Sequence, residues 1–389
     1  PDTGLPRWAP WPGPDGILAP GVWSGTSEPG LRTGAPYPPR NPIPPETITL
    51  LDLLCTGFNP GHLPVLAMQD LEGFKIPYTP EMLFLVGPNI IYSLGNPEVT
   101  AEFMKSMYVV ASKLWLDETT YFADMVLPDA CYLERLDPIP NIINHHHPAG
   151  RGNFTHAIRQ PIVKPPGQAR YISEVMLELA DRVGFRADFN NLMNHFYGLN
   201  PPYALEGDTS YTIEETADRI YKCYFGPERG LEWFKEHGVV NWPKKIEEVY
   251  WKPFRHVRAP IYWEWFKKAG EGIQAIVDEL GVTHIDTSDF SPLPGWKPCG
   301  ALEAKDEEYD LQAVYHRVAH HQFSYTFQNP WLDEISALDP YTNYVTINAE
   351  TAKRKGIKDG DQIWITSKEA GRTMGQAKLV EGIHPEVVG

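Results

Sequence analysis

Residues 82–111 read MLFLVGPNIIYSLGNPEVTAEFMKSMYVVA. Met82 to Val86 is a short continuous apolar run of the kind found in parallel strands that are covered on both faces. Gly87-Pro88-Asn89 interrupts it at once, Pro97 to Met107 carries a helical pattern, and Tyr108-Val109-Val110-Ala111 is a second strand. Strand, turn, helix and strand in this order predict a right-handed βαβ crossover in an open parallel sheet with helices on its faces. Such sheets take ligands beyond the carboxyl ends of their strands, which puts Gly87, Asn89 and Asp117-Glu118-Thr119 on the ligand edge. A helix over Ile172–Val183, with apolar Val175, Leu177, Leu179 and Val183 and a stop at Gly184, is expected to close the unit.

Outward from this stretch the texture changes twice. Residues 185–300 are rich in proline and large rings, among them Trp233, Phe234, Trp242, Tyr250, Trp251, Tyr262, Trp263, Trp265 and Phe266. Such rings are read first as packing, because they bury the most area, with a substrate funnel as the other reading. From about Tyr309 come short runs at Tyr344–Asn348, Gln362–Thr366 and Gln376–Val380, parted by turn signals at 358–361 and 369–371. With one short helix over Ala349–Lys355, stopped by Gly356, they predict a small β-barrel. Residues 1–45 are crowded with proline and glycine and read as an extended segment over a neighbouring surface, or else as a disordered tail.

A chain of 389 residues has room for two or three compact units. Fifty acidic against 34 basic residues give a formal charge of −16, and no basic stripe stands out, so a nucleic-acid partner is not expected. No apolar run reaches the ~18 residues of a transmembrane helix. Cys55, Cys131, Cys223 and Cys299 are far apart, without the close pairs that hold zinc or an iron–sulfur cluster, so no metal ligands are assigned. No GxGxxG opening occurs, which argues against a nicotinamide dehydrogenase.

Residues 117–135, DETTYFADMVLPDACYLER, resemble the ETA-x-x-ADVVLP-x-x-x-x-LER signature of the molybdenum- and tungsten-dependent bis-pterin oxidoreductases, the dimethyl sulfoxide reductase family. Residues 348–361, NAETAKRKGIKDGD, are similar to that family's NPEDA-x-x-x-GI-x-DGD element, which opens its dinucleotide-binding barrel. The resemblance implies an α/β fold class: a parallel-sheet Rossmann-like domain followed by a carboxyl-terminal double-psi-type β-barrel. It implies an extended segment over 1–46, a partial α/β domain over 47–308 with an aromatic-rich insertion near 190–300, and a partial dinucleotide-binding barrel over 309–389. The implied cofactor is bis-molybdopterin guanine dinucleotide with molybdenum or tungsten. Its pyrophosphate and base edge call for glycine turns, small hydroxyls and amide or imidazole groups rather than a dense positive field. Gly87, Asn89, Glu118 and Thr119 supply such groups on the first domain. Arg317, His320, His321, Gln322, Ser324 and Asn329 supply them on the barrel segment; an ordinary strand histidine pair is the other reading of His320-His321.

A second histidine run, His145-His146-His147, follows the LER motif where the family usually continues through Asn-Glu-Gly. Alternation along a strand lets at most two of the three act together, and His145 and His146 are carried as catalytic or substrate-binding candidates against a loop-packing role. The family's amino-terminal [4Fe–4S] segment and its metal-ligating residue find no counterpart, nor does its closing segment. The chain, which starts at Pro1 and stops at Gly389, is therefore expected to be the second half of a catalytic subunit. The partners implied are the rest of that subunit, an iron–sulfur electron-transfer subunit and a small-molecule substrate; the compartment, cytoplasm or periplasm, with or without attachment to the membrane through partner subunits, is left open by the sequence. The middle segment is similar to a subgroup near phenylacetyl-CoA:acceptor oxidoreductase, acetylene hydratase and transhydroxylase. The competing expectation is a structural component of a respiratory assembly that kept the fold and lost the pterin.

Overall fold

The computed structural model describes residues 62–137, 148–149, 153–243 and 281–389, apart from positions 77, 95, 284, 304–305, 322–325, 340 and 369–370, together with 267, 270, 271, 274, 275 and 277–279. In chain order the elements begin with α1 (His62–Gln69), β1 (Met82–Val86), α2 (Ile90–Ser93), α3 (Pro97–Lys105), β2 (Tyr108–Lys113) and β3 (Met125–Pro128). They continue with β4 (Pro148–Ala149), β5 (Asn153–Ala157), α4 (Ile172–Val183), α5 (Arg186–Tyr197), α6 (Ile213–Phe225), α7 (Leu231–His237) and β6 (Val239–Pro243). The last are α8 (Gly300–Glu303), β7 (Gln312–Ala313), α9 (Pro330–Ser336), β8 (Val345–Asn348), α10 (Ala349–Lys355), β9 (Gln362–Thr366), β10 (Arg372–Val380) and β11 (Val387–Val388).

Two compact units result. The first takes in residues 70–79 and 127–294. Its core lies under α6, α7 and β5, where the rings of Tyr221 and Phe234 sit 4.2 Å apart and His156 meets both edge-on. This places Trp233 and Phe234 in packing, as the first of the two readings expects, while Tyr250 to Phe266 lie outside the described residues. A reciprocal cap starts α6: Thr212 Oγ1 accepts from the Glu215 N–H and Glu215 Oε2 accepts from the Thr212 N–H, an arrangement worth about 1 kcal/mol. The predicted helix α4 has its expected bounds, but it packs on α5 in this unit instead of closing the βαβ crossover. Arg186 at the start of α5 ties the pair together: its guanidinium reaches Leu177 O and Asp181 on α4 and Tyr211 O ahead of α6.

The second unit takes in residues 64–69, 80–126 and 295–389. β1 and β2 pair in parallel from Met82↔Tyr108 to Val86↔Ser112, with α3 between them in sequence, and the sheet order is β1-β2-β3. β2 is central and buried along nearly all its length, whereas edge strand β1 leaves Met82 and Val86 exposed. The same unit holds a five-stranded mixed sheet, β7-β11-β8-β10-β9, curled as a half-barrel. Strand β10 is longer than the sequence predicts because it serves two neighbours: residues 372–376 pair antiparallel with β9, and 377–380 pair in parallel with β8. Gly375 stands near the switch, where a Cβ would lie 2.5 Å from Val345 Cγ2, so any side chain there would force Val345 to shift. Among the described residues no helix is long and apolar enough to cross a membrane, and no group of three or more His, Cys, Asp or Glu side chains is arranged to hold a metal ion.

Candidate functional site

Both loops at the carboxyl ends of β1 and β2 lie in the second unit. β1 runs into Gly87, whose φ of 89° is a left-handed conformation that side-chain-bearing residues rarely adopt. Pro88 follows, and then Asn89, only 1% exposed. β2 runs through Lys113 to Asp117, which opens the short 3₁₀ turn Glu118–Phe122: Asp117 Oδ1 accepts from the Thr120 N–H, and Thr120 Oγ1 from the Asp117 N–H.

The two loops are tied by side chains whose hydrogens have one consistent assignment. Glu118 Oε2 can only accept, so the Asn89 group facing it at 2.6 Å is the amide nitrogen. Asn89 Oδ1 then accepts from Thr119 Oγ1 at 2.8 Å, and that hydroxyl oxygen accepts in turn from the Ile91 N–H at 3.3 Å. Ser93 Oγ donates to Asn89 O at 2.8 Å. The side chains of Asn89 and Thr119 are thus engaged inside the protein, whereas Glu118 and Ser93 are exposed. A further tie is Lys113, buried at the end of β2, whose Nζ donates to Gly87 O, Pro88 O and Asp117 Oδ2.

From this knot the unit reaches its barrel segment through rings. Tyr92 of α2 lies 5.0 Å from Phe327, and Phe327 stacks on His321 at 4.6 Å and 16°. Partial desolvation, with the Glu118 carboxylate adding, holds the phenol of the half-exposed Tyr92 above the usual tyrosine range. Ser336 Oγ donates to Asp333 O, so His321 Nε2, 3.1 Å from the same oxygen, is the donor to it; Thr326 Oγ1 lies 3.5 Å from Nδ1. Asn329 caps α9, its Oδ1 accepting from the Trp331 and Leu332 N–H groups. His320 is half-buried beside Asp339, whose carboxyl is held below its ordinary range, first by the Tyr341 N–H and then by Thr342 and His320. Arg317 is exposed.

Of the residues expected at a site, Gly87, Asn89, Glu118 and Thr119 form one cluster, and His321 joins it through Tyr92 and Phe327. Gln322 and Ser324 lie outside the described residues, as do His145 and His146. Lys113, Tyr92 and Phe327 escape the sequence reading; the one signal for Lys113 is an acid four positions on, the sort of spacing that a strand-end loop can close.

The LER motif serves its own unit. Arg135 Nη1 donates to Ala130 O, its guanidinium lies over the Tyr171 ring, and it pairs with Asp129 at 3.6 Å and Asp137 at 4.0 Å. Burial raises the Asp129 carboxyl above its ordinary range, opposed by the Ile172 N–H and by Arg135. Glu134 Oε2 accepts from the Cys131 N–H at 2.8 Å and so closes the turn.

Comparison with known proteins bears on both segments. Residues 56–182 match the Molybdopterin oxidoreductase family, and residues 312–389 match the Molydopterin dinucleotide binding domain. The molybdopterin-containing subunit of thiosulfate reductase from Salmonella typhimurium is 27% identical over 287 residues, 72% of this chain and 33% of that protein. The sulfite dehydrogenase subunit from Allochromatium vinosum is 22% identical over 362 residues, 80% of this chain and 36% of that protein. The chain spans about a third of the length of these relatives. Among solved structures, acetylene hydratase from Pelobacter acetylenicus shares the fold with a TM-score of 0.52 at 18% identity, over 83% of this chain and 38% of that one.

Proposed function

The chain belongs to the molybdopterin oxidoreductase family, and from that premise we propose that it is the dinucleotide-gripping part of a catalytic subunit that carries bis-molybdopterin guanine dinucleotide with molybdenum or tungsten. One observation carries the reading: the Asn89–Glu118–Thr119 knot beyond two parallel strands and the His321–Phe327 stack of the barrel segment meet through Tyr92 in one unit. The donor set fits such a group. A glycine turn, an exposed carboxylate able to accept from guanine N–H groups, imidazoles and the exposed Arg317 suit a pyrophosphate and a base edge, and the chain's net charge of −16 argues against a broad polyphosphate surface.

In this reading Gly87 brings backbone close to the cofactor, Glu118 faces its base, Asn89 and Thr119 hold Glu118 and the turn in place, and Arg317 and His320 with the barrel segment take the second contact. Asn329 acts through α9, which it caps. The bound cofactor supplies two-electron redox or oxygen-atom and hydroxyl transfer on a small, aromatic or CoA-linked substrate; the protein seats and orients it. The half-barrel is read as part of a double-psi barrel, and 47–308 and 309–389 as the two domains sharing the grip. An iron–sulfur subunit, and a [4Fe–4S] cluster in the part of the catalytic protein not covered by this sequence, complete the proposed electron path. His145 and His146 are proposed to act on the substrate.

Metal analysis and pterin fluorescence on protein purified from cells that make the cofactor test this. Stoichiometric molybdenum or tungsten together with pterin is expected. Folded protein with neither contradicts the reading and favours the structural component that lost its pterin.

A further inference from the structure

Among the described residues, Lys113–Asp117 is the ion pair in which both side chains are less than a tenth exposed, at 2% and 6%. Every other pair has a partner open to water to a greater degree, such as Lys105–Glu102 at 57% and 73%. Lysine is almost never fully buried unless paired, and an ion pair in this setting is a poor source of stability, since apolar residues of the same volume often do as well. Its geometry is more informative. An ammonium has three donors, and here all three have acceptors: Gly87 O at 3.2 Å, Pro88 O at 2.6 Å and Asp117 Oδ2 at 2.6 Å. The first two belong to the turn after β1, and the third opens the 3₁₀ turn after β2. In a trans peptide the following N–H points opposite to the C=O, so gripping Pro88 O also fixes where the Asn89 N–H points. Asn89, Thr119 and Glu118 tie the same two loops a second time, farther along each.

We propose that Lys113 is a positioning residue for the ligand edge: its ammonium locks the Gly87-Pro88 turn to Asp117, so that the two loops meet the cofactor as one preformed lip. The proposal rests on the cofactor reading above and adds a residue to it. Lys113 touches no ligand; it acts through the backbone it holds. A preformed lip forfeits less conformational freedom on binding and therefore retains its ligand longer.

The test uses protein from cofactor-making cells and two variants, Lys113→Met and the double variant Lys113→Met/Asp117→Asn. The second leaves no orphan charge and so keeps the fold even where the first does not. Amide hydrogen exchange is measured across 87–93 and 117–122 in cofactor-free protein, and loss of pterin and metal is followed during dialysis of the loaded form. Exchange about tenfold faster in both loops, with β8 and β10 unchanged and the cofactor lost several times faster, is the expected result. Unchanged exchange in the double variant overturns the lock. Faster exchange with unaltered retention also overturns the proposal, because the lock would then serve the fold alone. Wild-type protein without pterin removes the cofactor reading itself, whereas loaded wild type with indifferent variants removes only the part given to Lys113.

Discussion

Tyr221 and Phe234 in the first unit and Asn89 and Thr119 in the second are all at most 1% exposed, yet different physics keeps water from each pair. The rings pack against each other and against the edge of His156, and their burial draws on apolar area, which is forgiving of direction. The amide and hydroxyl are dry because every bond is directed: Glu118, Ile91 and Ser93 hold Asn89 and Thr119 at 2.6–3.3 Å. Ring packing supplies stability, whereas a satisfied polar knot fixes one arrangement of two loops and suffers from the loss of any member. In the proposed reading, the ring core holds the fold and the knot shapes the site.

Phe234 is where the ring core and the knot separate most clearly. Replacing it with alanine should cost about 3–5 kcal/mol in urea unfolding of the first unit, while the cofactor bound per folded molecule stays the same. A parallel fall in cofactor content would mean that the ring core also shapes the site. Alkali gives the next largest effect. Burial holds Tyr197 up at about 12 and raises Tyr221 and Tyr224 as well. Each phenol keeps its proton to higher pH folded than unfolded, so stability is full below about pH 10 and is lost as pH rises through about 12, with roughly 2–3 kcal/mol from Tyr197 alone. Urea midpoints of the first unit at pH 9, 10 and 11 should fall in that order; a flat series contradicts the burial of these hydroxyls.

In the knot, Asn89→Ala should cost about 1–3 kcal/mol by leaving Thr119 without its acceptor, and here the cofactor should be retained less well at equal folded fraction. Loss of stability without loss of cofactor would reduce the knot to a structural tie. The smallest effect is expected at the ring bridge: Tyr92→Ala should weaken the link to Phe327 by about 0.5–1.5 kcal/mol. Paired with Phe327→Ala in a double-mutant cycle, it should show coupling; additive effects would sever the two halves of the grip.

Local signals made much of the frame readable. The apolar run of β1, the helix α4 up to Gly184, the helix α10 up to Gly356 and the strand β9 have the bounds that the sequence predicts. Features set by distant partners were not readable. β5 pairs with β6 from Asn153↔Pro243 to Ala157↔Val239, across a long stretch of chain, and nothing near either strand announces the other. The first half of β10, Arg372–Gly375, looks like loop until β9 lies beside it. At the site, residue types pointed to Asn89 and Thr119 as ligand-edge groups, but their engagement with each other, and the burial of a lysine at a strand end, depend on two loops meeting in space. Composition cannot encode that meeting.

These loops and the barrel segment are proposed to grip one nucleotide-tailed cofactor together, and a density map of protein loaded with molybdenum or tungsten and pterin decides the matter. Nucleotide density within hydrogen-bond reach of both the Gly87–Glu118 lip and the Arg317–Asn329 segment is the predicted result. A loaded protein whose nucleotide touches neither surface, or only one, contradicts it.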